Sequence, residues 1–195
     1  MLPALVASVL AYFIGSISAA ILVCRALGLP DPRTDGSGNP GATNVLRIGG
    51  KKPAAMTLAG DLLKGLIPVA IANLLSDDTA LIALVGLGAL LGHLYPIFFN
   101  FEGGKGVATA FGVMFGLHPL AGVVAALIWG ASAFAFKRSS LAALITFSLL
   151  PLYWFWNQAP SYAILSVMIA ALLYYTHRSN IQRLIDGTEP TIGKR

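Results

Sequence analysis

The sequence is short of charge. Its 195 residues carry 13 Lys and Arg and 8 Asp and Glu, so charged residues make 11% of the chain against 56% hydrophobic. Soluble domains run at about 25% charged, which excludes an ordinary soluble domain. A single cysteine, Cys24, leaves no internal disulfide to form; it reads as a small apolar residue near a helix end. The net charge of +5 is scattered over short polar loops. With no basic helix and no interleaving of bases with aromatics, it argues against a nucleic-acid partner. No basic segment precedes the first apolar run, and that run, Met1 to Cys24, is longer than the core of a signal peptide. It is expected to be a retained first span.

Bases are also missing from particular places. The polar breaks Ser76-Asp77-Asp78-Thr79 and Asn157-Gln158-Ala159-Pro160 contain none. Arg25, Arg33, Arg47, Lys51, Lys52, Lys105, Lys137, Arg138, Arg178 and Arg183 lie in or beside the other breaks, Lys194 and Arg195 close the tail, and only Lys64 lies inside an apolar run. Basic loops stay cytoplasmic. The alternation predicts an all-α polytopic membrane protein with its N-terminus outside and its C-terminus in the cytoplasm.

The runs predict spans at about 2–24, 53–75 and 80–99, then 140–156 and 160–176, with Trp154 and Trp156 as an outer aromatic belt. The stretch 107–136 is expected to go out and return, turning near His118-Pro119, because one span would put Lys137 and Arg138 outside. Its outgoing limb is about 11 residues, roughly 17 Å, too short for a hydrocarbon core of about 30 Å. It is either a short helix buried in protein or half of a re-entrant hairpin. About seven transmembrane helices result, in one domain spanning 1–195. Asp61 and Lys64, at i and i+3, are expected to pair inside the bundle.

Three polar segments fall on the basic face. In the first, Asp35 to Arg47, the spacing Gly36-x-Gly38-x-x-Gly41 matches the dinucleotide pattern, but no strand precedes it and Pro40 interrupts the turn. A glycine-rich turn opening a short helix fits better, with Asn39 as N-cap and Pro40 at N1. Such a terminus offers free N–H groups to an anion. Ser37, Thr43 and Asn44 lie in the same stretch, and Arg47 about two turns on has the forked geometry that phosphate takes.

The second segment runs from His93 through Gly103-Gly104-Lys105-Gly106 to Thr109. Glycines around a lysine before a helix make another anion pocket. It lacks the spacing and the Ser or Thr of a nucleotide-binding P-loop. His93 reads equally as a histidine hydrogen-bonded within its span. The third segment, His177-Arg178-Ser179-Asn180-Ile181-Gln182-Arg183-Leu184, is followed by Gly187 and Glu189. His177 is expected to titrate near neutrality. Ser139-Ser140 reads as a helix cap on the same face. Two anion cradles, convergent bases and apolar walls point to phosphorylated ligands beside a lipid chain.

Ser37-Gly38-Asn39-Pro40-Gly41-Ala42-Thr43-Asn44, Gly103-Gly104-Lys105-Gly106 and His177-x-x-Asn180-Ile181-x-Arg183-Leu184 resemble the three cytoplasmic motifs of the bacterial acyl-phosphate:glycerol-3-phosphate acyltransferases, the PlsY family. The order also holds for Gly15-Ser16-Ile17, Asp61-x-x-Lys64-Gly65 and Ser139-Ser140-Leu141. The resemblance implies seven transmembrane helices in the bacterial inner membrane and a site facing the cytoplasm. It implies transfer of an acyl chain from acyl phosphate to the 1-hydroxyl of sn-glycerol 3-phosphate, giving lysophosphatidate and phosphate. A separate soluble enzyme would make the donor, and neither cofactor nor metal is implied.

Carried over by the resemblance, Ser37, Arg47, Lys105 and Asn180 bind the headgroup and leaving phosphate, and His177 orients them. Gly38, Asn39, Gly41, Thr43, Asn44, His93, Gly103, Gly104, Gly106, Ser139, Ser140 and Arg183 are the substrate-binding candidates. The His-x4-Asp motif of other acyltransferases is absent, since the fifth residues after His93, His118 and His177 are Phe98, Val123 and Gln182. Two other classes compete. A phosphate transporter would need a polar constellation at the outer breaks as well. A lipid-binding scaffold would leave the clustered motifs unexplained.

Overall fold

The structure, a computed structural model, describes residues 2–192; Lys194 and Arg195, counted above with the basic tail, lie outside them. Among the described residues every regular element is helical. A chain this apolar can satisfy its backbone inside a bilayer through helices. The helices are α1 (Leu2–Gly15), α2 (Ala19–Ala26), α3 (Ala42–Gly49), α4 (Lys51–Leu75) and α5 (Thr79–Leu94), then α6 (Val107–Leu117), α7 (Pro119–Phe136), α8 (Ser139–Trp156), α9 (Pro160–Thr176) and α10 (Arg178–Ile185). Five helical segments are long and apolar enough to cross a membrane, namely Leu2–Ala26, Lys51–Leu75, Thr79–Phe99, Pro119–Phe136 and Ser139–Trp156. Val107–Leu117 and Pro160–Thr176 are shorter and apolar. Together they make seven.

Local chemistry sets several boundaries. Asp78 caps α5, its carboxylate accepting from the N–H of Ala80 at 2.9 Å and of Leu81 at 3.2 Å. Pro119 and Pro160 open α7 and α9, where a missing N–H is harmless. His118 alone separates α6 from α7, in extended conformation, and Phe115 packs on Gly122 across the break. The short limb is therefore a helix of 11 residues. Its Ala110, Val113, Met114 and Leu117 are buried. Asn73 Nδ2 donates to its terminal carbonyls, to Gly116 at 3.1 Å and Leu117 at 2.9 Å. Protein rather than lipid satisfies its end, which permits so short a helix at membrane depth.

Two tight helix pairs hold the bundle. Gly88 and Gly92 of α5 face the backbone carbonyls of Ser8 and Tyr12 on α1. Gly112 of α6 faces Leu62 of α4, and Gly65 of α4 faces Thr109 of α6. A Cβ at any of these would meet backbone, so small residues four apart allow the close approach. Leu90, Met114, Phe147, Leu150, Ile169 and Leu173 fill the core, while Leu74, Phe134, Phe155 and Trp156 point outward where lipid would lie.

Four expectations need correction. The first span is not one helix but breaks at residues 16–18. Ser16 Oγ donates back to Tyr12 O at 2.8 Å, and Lys64 Nζ donates to Ile17 O at 2.8 Å, so the break is satisfied from within. The short helix of the first motif starts at Ala42, with Gly41 as its N-cap. Asn39 and Pro40 belong to the preceding turn, where Gly41 N–H bonds Asn39 O at 2.9 Å. Arg138, not a serine, stands at the N-cap of α8, and Ser139 and Ser140 are already helical. Trp154 is buried, edge-on to Tyr153 and Tyr162 at ring separations of 5.0 Å each, so only Trp156 can serve as a belt.

Candidate active site

The first motif is a loop wound around Asn44. Its Oδ1 accepts the N–H of Ser37 at 2.7 Å, and its Nδ2 donates to Pro32 O at 2.8 Å and Asp35 O at 2.9 Å. Asn44 is buried on the first turn of α3, so the helix grips the loop that precedes it. Gly36 and Gly38 have φ of 63° and 70°, which a residue with a Cβ rarely adopts. This winding commits the Asn44 amide to the loop itself. Ser37, Thr43 and Arg47 are left exposed on its outer side. Arg33 pairs with Asp31 at 2.7 Å and with Glu102 at 3.3 Å, so its charge links the first loop to the second.

The second motif turns through Asn100 and Phe101, both at positive φ, and enters α6 through Gly106 at φ 91°. The first N–H groups of α6 have no partner within the helix. Gly104 is the meeting point of the two loops. A Cβ there would stand 3.0 Å from Pro40 O and 2.9 Å from His93 Cε1. Gly103 lies equally close to the His93 and Leu94 carbonyls, and Gly106 to Leu90 and Leu94. These three glycines are a requirement of space, since α5 presses the loop from below.

The third motif closes the site from the side. Lys105 Nζ hydrogen-bonds Asn180 Oδ1, and Thr176 Oγ1 donates to Lys105 O at 3.1 Å. Asn180 Nδ2 donates to Glu189 Oε1 at 2.7 Å. The same oxygen accepts from Ser140 Oγ at 2.5 Å, and Glu189 Oε2 accepts from Arg183 Nε at 2.8 Å. Glu189 is buried and was no candidate from sequence. It gathers Ser140, Asn180 and Arg183 from α8 and α10, and its own carbonyl accepts from Arg138 Nε at 3.3 Å. An acid just beyond the basic third motif was the available signal.

Charge at this mouth is unbalanced. Burial lowers the pKa of Lys105, and nearby Arg183 and Arg47 lower it further, against the pull of Glu189. Burial opposes ionisation of Glu189, but hydrogen bonds from Ser140, Asn180 and Arg183 outweigh it and hold the carboxyl below its usual range. His177 is buried and its Nδ1–H donates to Leu173 O at 2.8 Å. Burial pushes its pKa down to about 4. The expectation that it titrates near neutrality is overturned: desolvation keeps the ring neutral. A neutral ring with Nδ1–H occupied leaves Nε2 as an acceptor.

Lys105, Asn180, Ser140 and Arg183 thus form one connected cluster, with His177 beside it and Arg47 near enough to act on Lys105. His93, Gly103 and Gly104 join it to the first loop. Ser139 is half-buried one residue from the cluster, and Asn39 stays in the turn over Gly41. Arg178 is turned away, donating to Tyr175 O at 3.1 Å and lying 4.8 Å over the Tyr175 ring. The Asp61–Lys64 pair forms at 2.9 Å in the bundle below.

Residues 5–187 match a family model described as glycerol-3-phosphate acyltransferase. The chain is 54% identical over 187 residues to the glycerol-3-phosphate acyltransferase of Hydrogenovibrio crunogenus, covering 95% of this chain and 90% of that one. It is 52% identical over 186 residues to that of Thioalkalivibrio sulfidiphilus, covering 95% and 92%. Among solved structures it is similar to the glycerol 3-phosphate form of PlsY (YgiH), an integral membrane glycerol 3-phosphate acyltransferase. The identity is 39%, the TM-score 0.93 and the coverage 98% of this chain and 96% of that one. The lysophosphatidic acid form of the same protein superposes with a TM-score of 0.91 at 38% identity.

Proposed function

The chain belongs to the glycerol-3-phosphate acyltransferase family, and on that premise we propose that its acyl donor is acyl phosphate. The 1-hydroxyl oxygen of sn-glycerol 3-phosphate bonds to the acyl carbon, and the bond from that carbon to the phosphate oxygen breaks. Lysophosphatidate and phosphate leave. The hydroxyl proton passes to a phosphate oxygen of the substrates. An acyl phosphate is a mixed anhydride with a good leaving group, so positioning and charge stabilisation can supply most of the rate.

The meeting of two glycine loops at Gly104, roofed by Lys105, Arg47 and Arg183, carries this reading. It is a place for two phosphates, and it holds more cations than its one carboxylate balances. Arg47 and Lys105 bind the headgroup and leaving phosphate with Ser37 and Asn180. Gly38, Asn39, Gly41 and Thr43 line the first cradle, which Asn44 holds in shape. Gly103, Gly104 and Gly106 let substrate approach backbone, and Ser139, Ser140 and Arg183 flank it. His177, neutral, orients a hydroxyl or an amide through its free nitrogen. The forms of the PlsY relative named for glycerol 3-phosphate and lysophosphatidic acid support the acceptor and the product. The site faces the cytoplasm of a bacterial inner membrane, where a soluble enzyme delivers acyl phosphate.

Purified protein supplied with glycerol 3-phosphate and either acyl phosphate or acyl-CoA tests the donor. Lysophosphatidate is expected with acyl phosphate only. Robust product with acyl-CoA alone would overturn the assignment.

A further inference from the structure

One buried line of contacts joins the break in the first span to the second glycine loop. Lys64 Nζ donates to Ile17 O at 2.8 Å and pairs with Asp61 Oδ1 at 2.9 Å. The same Oδ1 stands 3.5 Å from Nδ1 of His93. The ring is 5% exposed, and Nδ1 is buried with no hydrogen bond. Its opposite edge, Nε2 and Cε1, lies against Gly104, where Pro40 brings in the first loop. Asp61 is itself fixed to the helix that the loop opens, because Thr109 Oγ1 donates to Asp61 O at 2.9 Å.

Lys64 alone would explain the hook on Ile17, and Asp61 alone would explain the neutralised lysine. Neither explains a histidine at the third place. A buried ion pair is costly in an apolar bundle and is retained where its geometry matters. An imidazole with a carboxylate behind one nitrogen has its ring orientation set, and the other nitrogen is then aimed. Here that nitrogen is aimed at the point where both anion cradles meet.

We infer that Asp61 is a positioning residue for the His93 ring: with a phosphate bound on the Gly103–Gly106 loop the ring lies between two anions and, as imidazolium, donates from Nδ1 to the carboxylate and from Nε2 to the phosphate. This rests on reading that loop as a phosphate site. The phosphate is that of acyl phosphate or that of glycerol 3-phosphate, and Lys64 pairs with the carboxylate and tethers it to the helix break.

The test compares His93→Gln with His93→Asn in the full-length protein. Glutamine carries a donor near the place of Nε2, and asparagine near the place of Nδ1. His93→Asn should raise KM for one phosphate substrate about tenfold, the worth of one hydrogen bond, with kcat less affected. His93→Gln, which keeps a donor near the place of Nε2 without the charge, should raise that KM distinctly less than His93→Asn. The substrate whose KM moves identifies the phosphate. A double variant, Asp61→Asn with Lys64→Gln, leaves no unpaired ion and should give the same KM rise. Adding His93→Asn to it should raise KM no further.

A better-tolerated asparagine, additive effects, or lost thermal stability with both KM values unmoved would each show a merely structural histidine. The stabilisation given by glycerol 3-phosphate or inorganic phosphate in thermal unfolding should also shrink in His93→Asn, and a full shift there together with unmoved KM values would overturn the inference. If wild type fails with acyl phosphate while these shifts still differ, the donor reading falls and the Asp61–His93 unit stands.

Discussion

Lys64 and Lys105 are both drawn into the bundle by polar side chains, and they end in different company. Lys64 has a carboxylate at 2.9 Å and a carbonyl at 2.8 Å, so its charge is met within the protein. Lys105 is held through the neutral amide of Asn180. The carboxylate behind that amide, Glu189, is already shared with Arg183 and Ser140. Arg47 adds a further cation nearby. The lower ion pair is neutral as a whole and ties α4 to the break in the first span. The upper cluster, beside two glycine loops, keeps a surplus of positive charge. A half-buried cation held by a neutral amide still has its charge to offer to an anionic ligand, and that contrast separates the ion pair below from the site above.

The heaviest blow to the contrast should come from Glu189→Ala. It strips Ser140, Asn180 and Arg183 of their common acceptor and leaves a partly buried arginine unpaired. The loss should be about 1–3 kcal/mol, read as a fall in the melting temperature and yield of purified protein. Unchanged stability with activity abolished would mean that Glu189 acts on substrate rather than as the organiser of the mouth.

Next in size are the phosphate cations. Arg47→Lys and Lys105→Ala should each lower kcat/KM roughly tenfold to a hundredfold, the worth of a charge-assisted hydrogen bond. Lysine cannot reproduce the arginine fork. Arg178→Ala should matter least, since Arg178 already lies on Tyr175 at its own helix end. If Arg178→Ala were the most damaged of the three in steady-state kinetics, the wrong bases would have been assigned to the phosphates.

The distinction between legible and hidden features follows the same division. Apolar runs and base-free breaks are local patterns, so most of the helices and the turn at His118 could be read in advance, and the short limb was narrowed to a buried helix or half of a re-entrant hairpin. Asp61 and Lys64 could be paired because three residues along a helix bring them to one face. The break at residues 16–18 could not, because nothing within the first run shows that Lys64, 47 positions away from Ile17, will satisfy a freed carbonyl. Asn44 looked like a ligand binder, yet its amide reaches back to Pro32 and Asp35. Glu189 went unassigned because its partner Ser140 lies 49 positions earlier. His177 was read from its ordinary pKa, and burial, which only the fold reveals, moved it. Loop chemistry set by distant side chains has no period to read.

The smallest effect concerns His177. Its folded pKa of about 4 lies below the ordinary value of 6.5, so the unfolded chain binds the extra proton between these values. The contribution of a neutral His177 to stability is complete above about pH 6.5 and declines as pH falls toward about 4. Against His177→Gln, wild type should therefore lose melting temperature over that window and not above it. A constant difference across pH, or a ring proton resonance titrating near 6.5 in NMR, would contradict the buried neutral ring.

The central claim is that one mouth holds both phosphates at once and passes the acyl group directly between them. Initial rates measured over a grid of acyl phosphate and glycerol 3-phosphate concentrations test this most directly. Intersecting double-reciprocal lines, the mark of both substrates bound together, are the predicted result. Parallel lines, the mark of an acyl-enzyme formed before the acceptor binds, would contradict it.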